Sequence, residues 1–265
     1  MTTMTEPDFV AYAGVRTDRF YVRMASVMVA VAVVGFAPTY WVPMGRGTLV
    51  ATPLVHVHAL LFFGWMLLFW TQTWLAAYGS LGRHRELGVV GVALACAMCV
   101  VGAATATSSL GRAEAAGFGP AGRAFSVVSF TALLFFAVLV AVAVLNVRTS
   151  ATHKRLMLVA TASLLQAGIG RWFALFLRPP GAAGPPPVAA TVASGLATDL
   201  LFVAAMVYDR RTRGRVHPAY WVAGASLVAL QVLRVPLSTT PFWMRVTEWI
   251  VPAAGAANAR GLLTP

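Results

Sequence analysis

The chain has 265 residues, of which 59% are apolar and only 11% are charged, against roughly 25% charged residues in a typical soluble domain. This composition excludes an ordinary soluble domain and predicts an integral membrane protein. The net charge of +12 does not indicate nucleic-acid binding, because the basic residues lie mostly in short segments between apolar runs, where they cannot form a phosphate-binding surface.

Seven apolar segments are long enough to span a membrane as helices, since a span needs about 20 residues. They cover residues 24–43, 53–78, 88–108, 124–147, 156–177, 188–208 and 219–238. The polar head at residues 1–23 lacks the features of a cleavable signal, so we interpret it as a cytoplasmic lead-in. These segments predict one all-α transmembrane bundle over residues 1–265.

The pattern changes after the seventh span. Residues 240–251 combine Trp243 and Trp249 with Arg245 and Glu248, which is typical of a short helix lying in the membrane interface. We expect a loose outer tail over residues 252–265.

Lysine and arginine residues are distributed unequally between the two sets of connecting segments. With the N-terminus inside, the inner segments contain twelve of them: Arg16, Arg19, Arg23, Arg83, Arg85, Arg148, Lys154, Arg155, Arg210, Arg211, Arg213 and Arg215. The outer segments contain six: Arg46, Arg112, Arg123, Arg178, Arg245 and Arg260. Because basic loops stay in the cytoplasm, this distribution predicts an N-inside, C-outside topology.

Three ionisable residues, Asp199, Arg171 and Arg234, lie within the predicted spans. In hydrocarbon each costs at least about 2.5–3.5 kcal/mol, so each normally has a partner and a function. The helical rise places Asp199 about 13–16 Å from either face and both arginines about 22–24 Å from the inner edge. For the arginines the alternative is snorkelling to the outer surface, and for Asp199 it is a structural ion pair or a neutral acid.

The sequence Val-His-Val-His at 55–58 begins the second span. His58 lies about 8 Å and His56 about 5 Å inside its outer end. Residues two apart on a helix point about 200° apart, so the two histidines cannot chelate one metal from a regular helix. We interpret His58 as an inward-facing donor or ligand and leave His56 open between a ligand contact and an interfacial residue.

These residues predict a polar outer-leaflet cavity among helices two, five, six and seven. His58 and Arg171 would supply hydrogen-bond donors and Arg234 a charge, with Asp199 below the cavity as a counter-ion or proton carrier paired to an arginine. The candidate ligand-binding set also includes His56, Gln72 and Gln166.

Three further histidines, His84, His153 and His217, each stand at the inner edge just before a helix. One interpretation is contact with lipid head groups, and the other is ligation of haem b or another metal by two of the three. A haem there would be unusually exposed, so we expect no stoichiometric haem. The Cys96-x-x-Cys99 pair, with Met98 nearby, offers soft ligands for copper(I), but no third ligand is identifiable.

A recognisable series of motifs is formed by Gln72, His84-Arg85-Glu86-Leu87-Gly88, His153-Lys154-Arg155-Leu156-Met157 and Arg171-Trp172. It resembles bacterial polytopic membrane protein families of unknown function with paired H-R-x-L-G and H-R-R-L-M turns, although the second turn here reads His-Lys-Arg. Some relatives look like oxidase-assembly accessories, and the histidine pattern resembles that of b-type membrane cytochromes. The resemblance covers residues 56–172 and implies respiratory-complex subunits as partners.

Common catalytic signatures are missing from the sequence, including a phosphate-binding loop, H-E-x-x-H and G-x-S-x-G. The leading hypothesis is a multi-pass protein of the bacterial inner membrane that binds an amphiphilic, anionic or quinone-like ligand. The alternatives are a small proton-coupled transporter and a b-type haem protein.

Overall fold

The computed structural model describes residues 19–259, with side chains described for residues 19–252. This part of the chain is helical and contains no strand. Its helices are α1 (Phe20–Gly45), α2 (Pro53–Ala77), α3 (Leu81–Ala115), α4 (Gly119–Leu145), α5 (Ser150–Leu177), α6 (Ala190–Arg213), α7 (Pro218–Leu237) and α8 (Pro241–Ala259). Most of the predicted head, residues 1–18, and the end of the predicted tail, residues 260–265, lie outside the described residues.

Seven of these helices, α1 to α7, are long and apolar enough to cross a membrane, which confirms the predicted number of spans and the all-α fold. Several helices extend beyond their apolar segments. Helix α3 has 35 residues and α5 begins at Ser150, because polar residues at a helix end continue the backbone hydrogen bonding without adding to the hydropathy.

Helix α8 follows α7 after a short turn and packs against α3 and α4. Trp243 lies in a small apolar cluster with Val127 and Val188, and its indole N–H donates to the Arg123 carbonyl at 2.8 Å. Trp249 on the same helix is exposed, as an interfacial helix requires. The helix continues to Ala259, so the first part of the predicted loose tail is helical instead.

Helix α5 is the centre of the bundle and packs against α1, α4, α6 and α7. In the most apolar 18-residue stretch of α5, 56% of the residues are buried, whereas the corresponding fraction in the other six spanning helices is at most 33%. The contact with α1 is made through glycines, because a Cβ atom on Gly35 would lie 2.8 Å from the Cα of Gly168. Small residues at such a crossing let two backbones approach closely.

Both α1 and α5 are irregular near this crossing. In α1, residues Ala37–Trp41 form a π-helical turn at Pro38, which cannot donate a backbone hydrogen bond. In α5, Leu165 interrupts the helix, and its N–H donates to the Ala162 carbonyl in a tighter three-residue turn. Two interrupted helices therefore meet in the bundle core.

The helix ends define two faces of the bundle. We call the face where α1 begins the N-terminal face and the other the opposite face. The N-terminal face carries Arg19, Arg23, Arg83, Arg85, Arg148, Lys154, Arg155, Arg210, Arg211, Arg213 and Arg215, whereas the opposite face carries Arg46, Arg112, Arg123, Arg178 and Arg245. This asymmetry among the described residues follows the distribution seen in the sequence.

Candidate functional site

Four polar side chains form a buried central cluster between α5, α6 and α7: Gln166, Asp199, Gln231 and Arg234. The Gln231 amide donates to Asp199 Oδ1 at 3.1 Å, and Arg234 Nη2 donates to Gln166 Oε1 at 3.3 Å. The Gln166 amide in turn donates to the Thr191 carbonyl at 2.8 Å. The central cluster therefore connects all three helices inside the apolar part of the bundle.

Local backbone structure brings these side chains together. Gln166 directly follows the interruption at Leu165 and starts the second half of α5. Gly195 on α6 leaves room for both glutamines, because a Cβ atom there would lie 2.8 Å from Gln231 Cδ and 3.0 Å from Gln166 Nε2. Gln231 and Arg234 are three residues apart and share one face of α7.

Hydrogen bonding in the central cluster is incomplete. Asp199 Oδ2, Gln231 Oε1 and Arg234 Nη1 are all buried without a hydrogen-bond partner. Leaving one buried polar group unpaired costs about 1–3 kcal/mol, and more for a charged group. Two open acceptors and one open donor thus lie in a single buried cluster.

Asp199 and Arg234 interact electrostatically, as the sequence predicts for this acid and an arginine. They form no direct hydrogen bond among the described residues, because Asp199 accepts from Gln231 and Arg234 donates to Gln166 and the Leu230 carbonyl. The pairing is therefore an electrostatic interaction, and a glutamine amide makes the side-chain hydrogen bond to each residue.

His58 and Arg171 lie within α2 and α5, toward the opposite face, and the charge of Arg171 acts on the His58 ring. The guanidinium of Arg171 stacks over Phe36 with Cζ 4.1 Å from the ring centroid, and its Nε donates to Thr39 Oγ1 at 2.9 Å. His58 stacks on Phe62, and its Nδ1 is buried without a partner.

The π-helical turn of α1 explains how the second half of α5 is held. Pro38 has no N–H to donate to the Val34 carbonyl, which accepts instead from the Ala37 N–H and, at 2.9 Å, from the indole N–H of Trp172. Arg171 reaches Thr39 in the same turn. Trp172 thus bonds to α1.

Arg234 does not share a cavity with His58 and Arg171. Gln166, which contacts Arg234, and Arg171 are five residues apart on α5, so they point about 140° away from each other. The single predicted cavity is therefore two separate groups, the central cluster and the His58–Arg171 pair, because α5 lies between them.

His56 and Gln72 also lie outside the central cluster. His56 is exposed at the opposite face, where its Nδ1 and the Tyr40 hydroxyl are 2.9 Å apart. Gln72 lies at the N-terminal face, because the 14 residues between it and His58 correspond to about 21 Å along the helix. The Gln72 amide donates to the His84 backbone carbonyl at 3.0 Å.

Two of the three histidines at the N-terminal face come together. The rings of His84 and His153 have centroids 6.5 Å apart and stand at 90° to each other. His217 is instead the N-cap of α7, where its Nδ1 accepts from the Ala219 N–H at 3.1 Å.

Cys96 is exposed and Met98 is fully buried, so these two potential copper ligands point to different surroundings.

The sequence interpretation missed a second charged cluster at the N-terminal face. Arg155 and Asp209 are both fully buried, and Arg155 donates through Nε and Nη2 to the two carboxylate oxygens at 2.7 and 2.6 Å. Asp209 also pairs with Arg213 Nε at 3.3 Å and accepts from the His217 N–H at 3.3 Å.

A sequence signal for the Arg155–Asp209 pair exists. Arg155 precedes Val159 by four residues and Ala162 by seven, and both are fully buried on α5. Asp209 follows Ala205 and Phe202 with the same spacing on α6, and these are also buried. This spacing aligns each charged residue with a buried helix face.

Comparison with models of known protein families, with curated proteins and with solved structures gives no match for this chain.

Proposed function

We propose that this membrane protein binds the polar head of an amphiphilic, quinone-like molecule at the central cluster. The observation that supports this proposal is the set of three buried atoms without partners, Asp199 Oδ2, Gln231 Oε1 and Arg234 Nη1. A bound head group that both accepts and donates hydrogen bonds would satisfy all three.

The chemistry of a quinone suits this arrangement. A quinone carbonyl accepts hydrogen bonds, which matches the open donor on Arg234, whereas the hydroxyl of the reduced quinol donates to a carboxylate or amide oxygen. Asp199 would then be the acceptor that distinguishes the reduced form. An isoprenoid tail needs a lipid-facing path, and both α6 and α7 have exposed apolar residues, such as Leu200 and Leu233.

Binding is tested with the purified protein in nanodiscs and a short-chain ubiquinone, followed by tryptophan fluorescence quenching. We expect saturable binding that weakens about tenfold or more in Arg234→Gln, because Arg234 is the donor to the quinone carbonyl and a hydrogen bond to a charged group contributes about 1.5–3 kcal/mol. Arg245→Gln is the matched control, because Arg245 is exposed on α8.

The proposal is contradicted if the wild-type protein shows no saturable binding, or if Arg234→Gln binds the quinone as well as Arg245→Gln does. Titration with the reduced quinol adds a sharper comparison. Asp199→Asn should weaken quinol binding more than quinone binding, since the carboxylate accepts only from the hydroxyl.

A second candidate function is proton-coupled transport, which the interruptions in α1 and α5 favour. Discontinuous helices near the middle of the membrane often form the binding sites of secondary transporters. Proteoliposomes containing a pH-sensitive dye would show ligand-dependent proton movement that Asp199→Asn abolishes. Binding without proton movement would favour the first function.

We also propose that the N-terminal face is cytoplasmic and that the protein resides in a bacterial inner membrane, with a role in respiratory-chain function or assembly. Eleven described basic residues at this face, against five at the opposite face, support the orientation. The resemblance of the motifs supports the location and role. A periplasmic reporter fused to the C-terminus should be active, and activity of only a cytoplasmic reporter would contradict this topology.

A further inference from the structure

The two paired histidines at the N-terminal face are each fixed in one tautomer. His84 Nδ1 lies 3.2 Å from the backbone carbonyl oxygen of Gln72, and His153 Nδ1 lies 2.8 Å from that of Ala143. A carbonyl oxygen only accepts, so Nδ1 carries the hydrogen in both rings. In the neutral imidazole this leaves Nε2 with a free lone pair on each histidine.

This hydrogen bonding is typical of metal-ligating histidine. Such a residue almost always donates its other ring N–H to a carbonyl or carboxylate, which fixes the ring and makes the ligating nitrogen more basic. Here both donors are satisfied by the ends of the preceding helices. The Ala143 carbonyl lies in the last turn of α4, where it also accepts from the Asn146 N–H at 3.1 Å.

Gln72 strengthens the position of His84 through a reciprocal pair of hydrogen bonds. The imidazole of His84 donates to the Gln72 carbonyl, and the amide of Gln72 donates to the His84 carbonyl at 3.0 Å. The remaining amide oxygen of Gln72, Oε1, is buried without a partner. The end of α2 and the start of α3 therefore hold this ring in a fixed place.

The spacing of the rings suits one metal between them. A metal bound to imidazole lies about 2.0–2.1 Å from the nitrogen, hence roughly 3.2 Å from the ring centroid. Two rings on opposite sides of one metal then have centroids roughly 6.4 Å apart. The observed separation is 6.5 Å, with the ring planes perpendicular.

We propose that His84 and His153 bind one transition-metal centre through their Nε2 atoms, as two imidazole ligands on opposite sides of the metal. Imidazole suits iron and copper, and a pair of histidines is also an axial ligand set for haem iron. The shared chemistry is a metal with two opposed nitrogen ligands. This site is independent of the central cluster.

The proposal replaces the expectation from the sequence that interfacial histidines would not hold a cofactor. Both rings are half-buried, because α3 and α5 start well before their apolar segments and carry the histidines into the bundle. The third candidate, His217, uses its Nδ1 as a helix cap and is not part of the site.

The test begins with the purified full-length protein, its reduced-minus-oxidised absorption spectrum and its iron and copper content. A bis-imidazole haem spectrum that is lost in both His84→Ala and His153→Ala supports the proposal with haem as the metal source. If no haem is present, titration with copper(I) should show about one bound ion per chain, with affinity at least tenfold weaker in both variants.

His56→Ala is the matched control, because it removes an imidazole at the opposite face and should leave either signal unchanged. The proposal is overturned if neither haem nor copper(I) binds, or if binding persists in both histidine variants. A signal lost equally in His56→Ala would also contradict it, because the loss would not be specific to this site.

His153→Met separates ligation from folding, because methionine is itself a ligand for haem iron and for copper(I). If the metal is haem iron, we expect this variant to retain the haem with an altered spectrum, because histidine–methionine ligation differs from bis-histidine ligation. If it is copper(I), which has no visible spectrum of this kind, we expect copper(I) binding to be retained. A spectrum identical to that of the wild-type protein would show that His153 is not a ligand.

Discussion

Two arginine–aspartate pairs connect α6 with its neighbours, and they differ in how completely they are satisfied. At the N-terminal face, both carboxylate oxygens of Asp209 accept from Arg155, and further contacts come from Arg213 and the His217 N–H. In the central cluster, Asp199 and Arg234 are held apart by glutamines, and each has an atom without a partner.

The difference separates a structural role from a functional one. In the Arg155–Asp209 pair every carboxylate oxygen and every guanidinium nitrogen has a partner, and the contacts of the pair connect α5, α6 and α7. Asp199 and Arg234 retain the desolvation cost of their charges without the direct hydrogen bonds that would offset it. Such an arrangement is expected at a binding site rather than in a purely structural core.

The largest effect is expected from breaking the Arg155–Asp209 pair, which we call the closed pair because all its oxygens and nitrogens have partners. Arg155→Met leaves the buried Asp209 carboxylate without its main partner, so the free energy of unfolding should fall by about 3–5 kcal/mol. Thermal unfolding in detergent, monitored by circular dichroism, measures this loss. The double variant Arg155→Met/Asp209→Leu should be more stable than the Arg155→Met protein, because it leaves no stranded charge.

The same double-mutant cycle on Asp199 and Arg234 sharpens the comparison. Removing Asp199 alone should be worse than removing it with Arg234, but the coupling should be smaller than for Arg155 and Asp209, since these groups make no direct contact. Equal coupling energies in the two cycles would contradict the distinction between a closed and an open pair.

An intermediate effect is expected from filling the space beside the central cluster. Gly195→Ala places a methyl group about 2.8 Å from Gln231 Cδ, so overpacking should destabilise the protein by about 1–3 kcal/mol and also weaken quinone binding. Gly64→Ala is the matched control, because no atom lies within 4 Å of a Cβ atom built there. That substitution should be neutral or slightly stabilising, since alanine favours helix.

The smallest effect is the pH dependence of stability that comes from His217, which lies beside the Arg155–Asp209 pair. Burial of the ring, and then the charge of Arg155, lower the pKa of His217 below its ordinary value of 6.5. The folded state therefore favours the neutral ring that caps α7, and this stabilisation is complete above about pH 6.5 and is lost as the pH falls below it.

His217→Asn keeps a capping oxygen but does not titrate. Its melting temperature should therefore fall less than that of the wild-type protein between pH 8 and pH 5.5. Parallel decreases in both proteins would show that His217 is not the titrating cap.

The seven spans and the burial of Asp199 and Arg234 could be predicted from the sequence, because hydropathy reports directly on transfer into lipid. The division of the predicted cavity into the central cluster and the His58–Arg171 pair could not be predicted. Whether Arg171 and Arg234 share a cavity depends on which faces of α5 contact α1 and α7, and a single sequence does not contain that information.

The Arg155–Asp209 pair was missed for a different reason. Both residues lie next to basic loops, and a charge at the edge of an apolar segment is usually solvated. Helix α5 begins at Ser150, so Arg155 is already more than one turn inside the helix. Because the predicted span began at residue 156, the buried Arg155 was assigned to a loop.

The interruption at Leu165 has a mechanical consequence. Gln166–Leu177 is a separate helical segment of 12 residues, about 18 Å long, that carries both Gln166 and Arg171. A displacement of this segment moves the side chain that contacts Arg234 and the one that contacts α1 at the same time. Gln166 in the interior of the bundle and Arg171 toward its opposite face therefore move together, and the close contact between Gly35 and Gly168 lies between them along the segment.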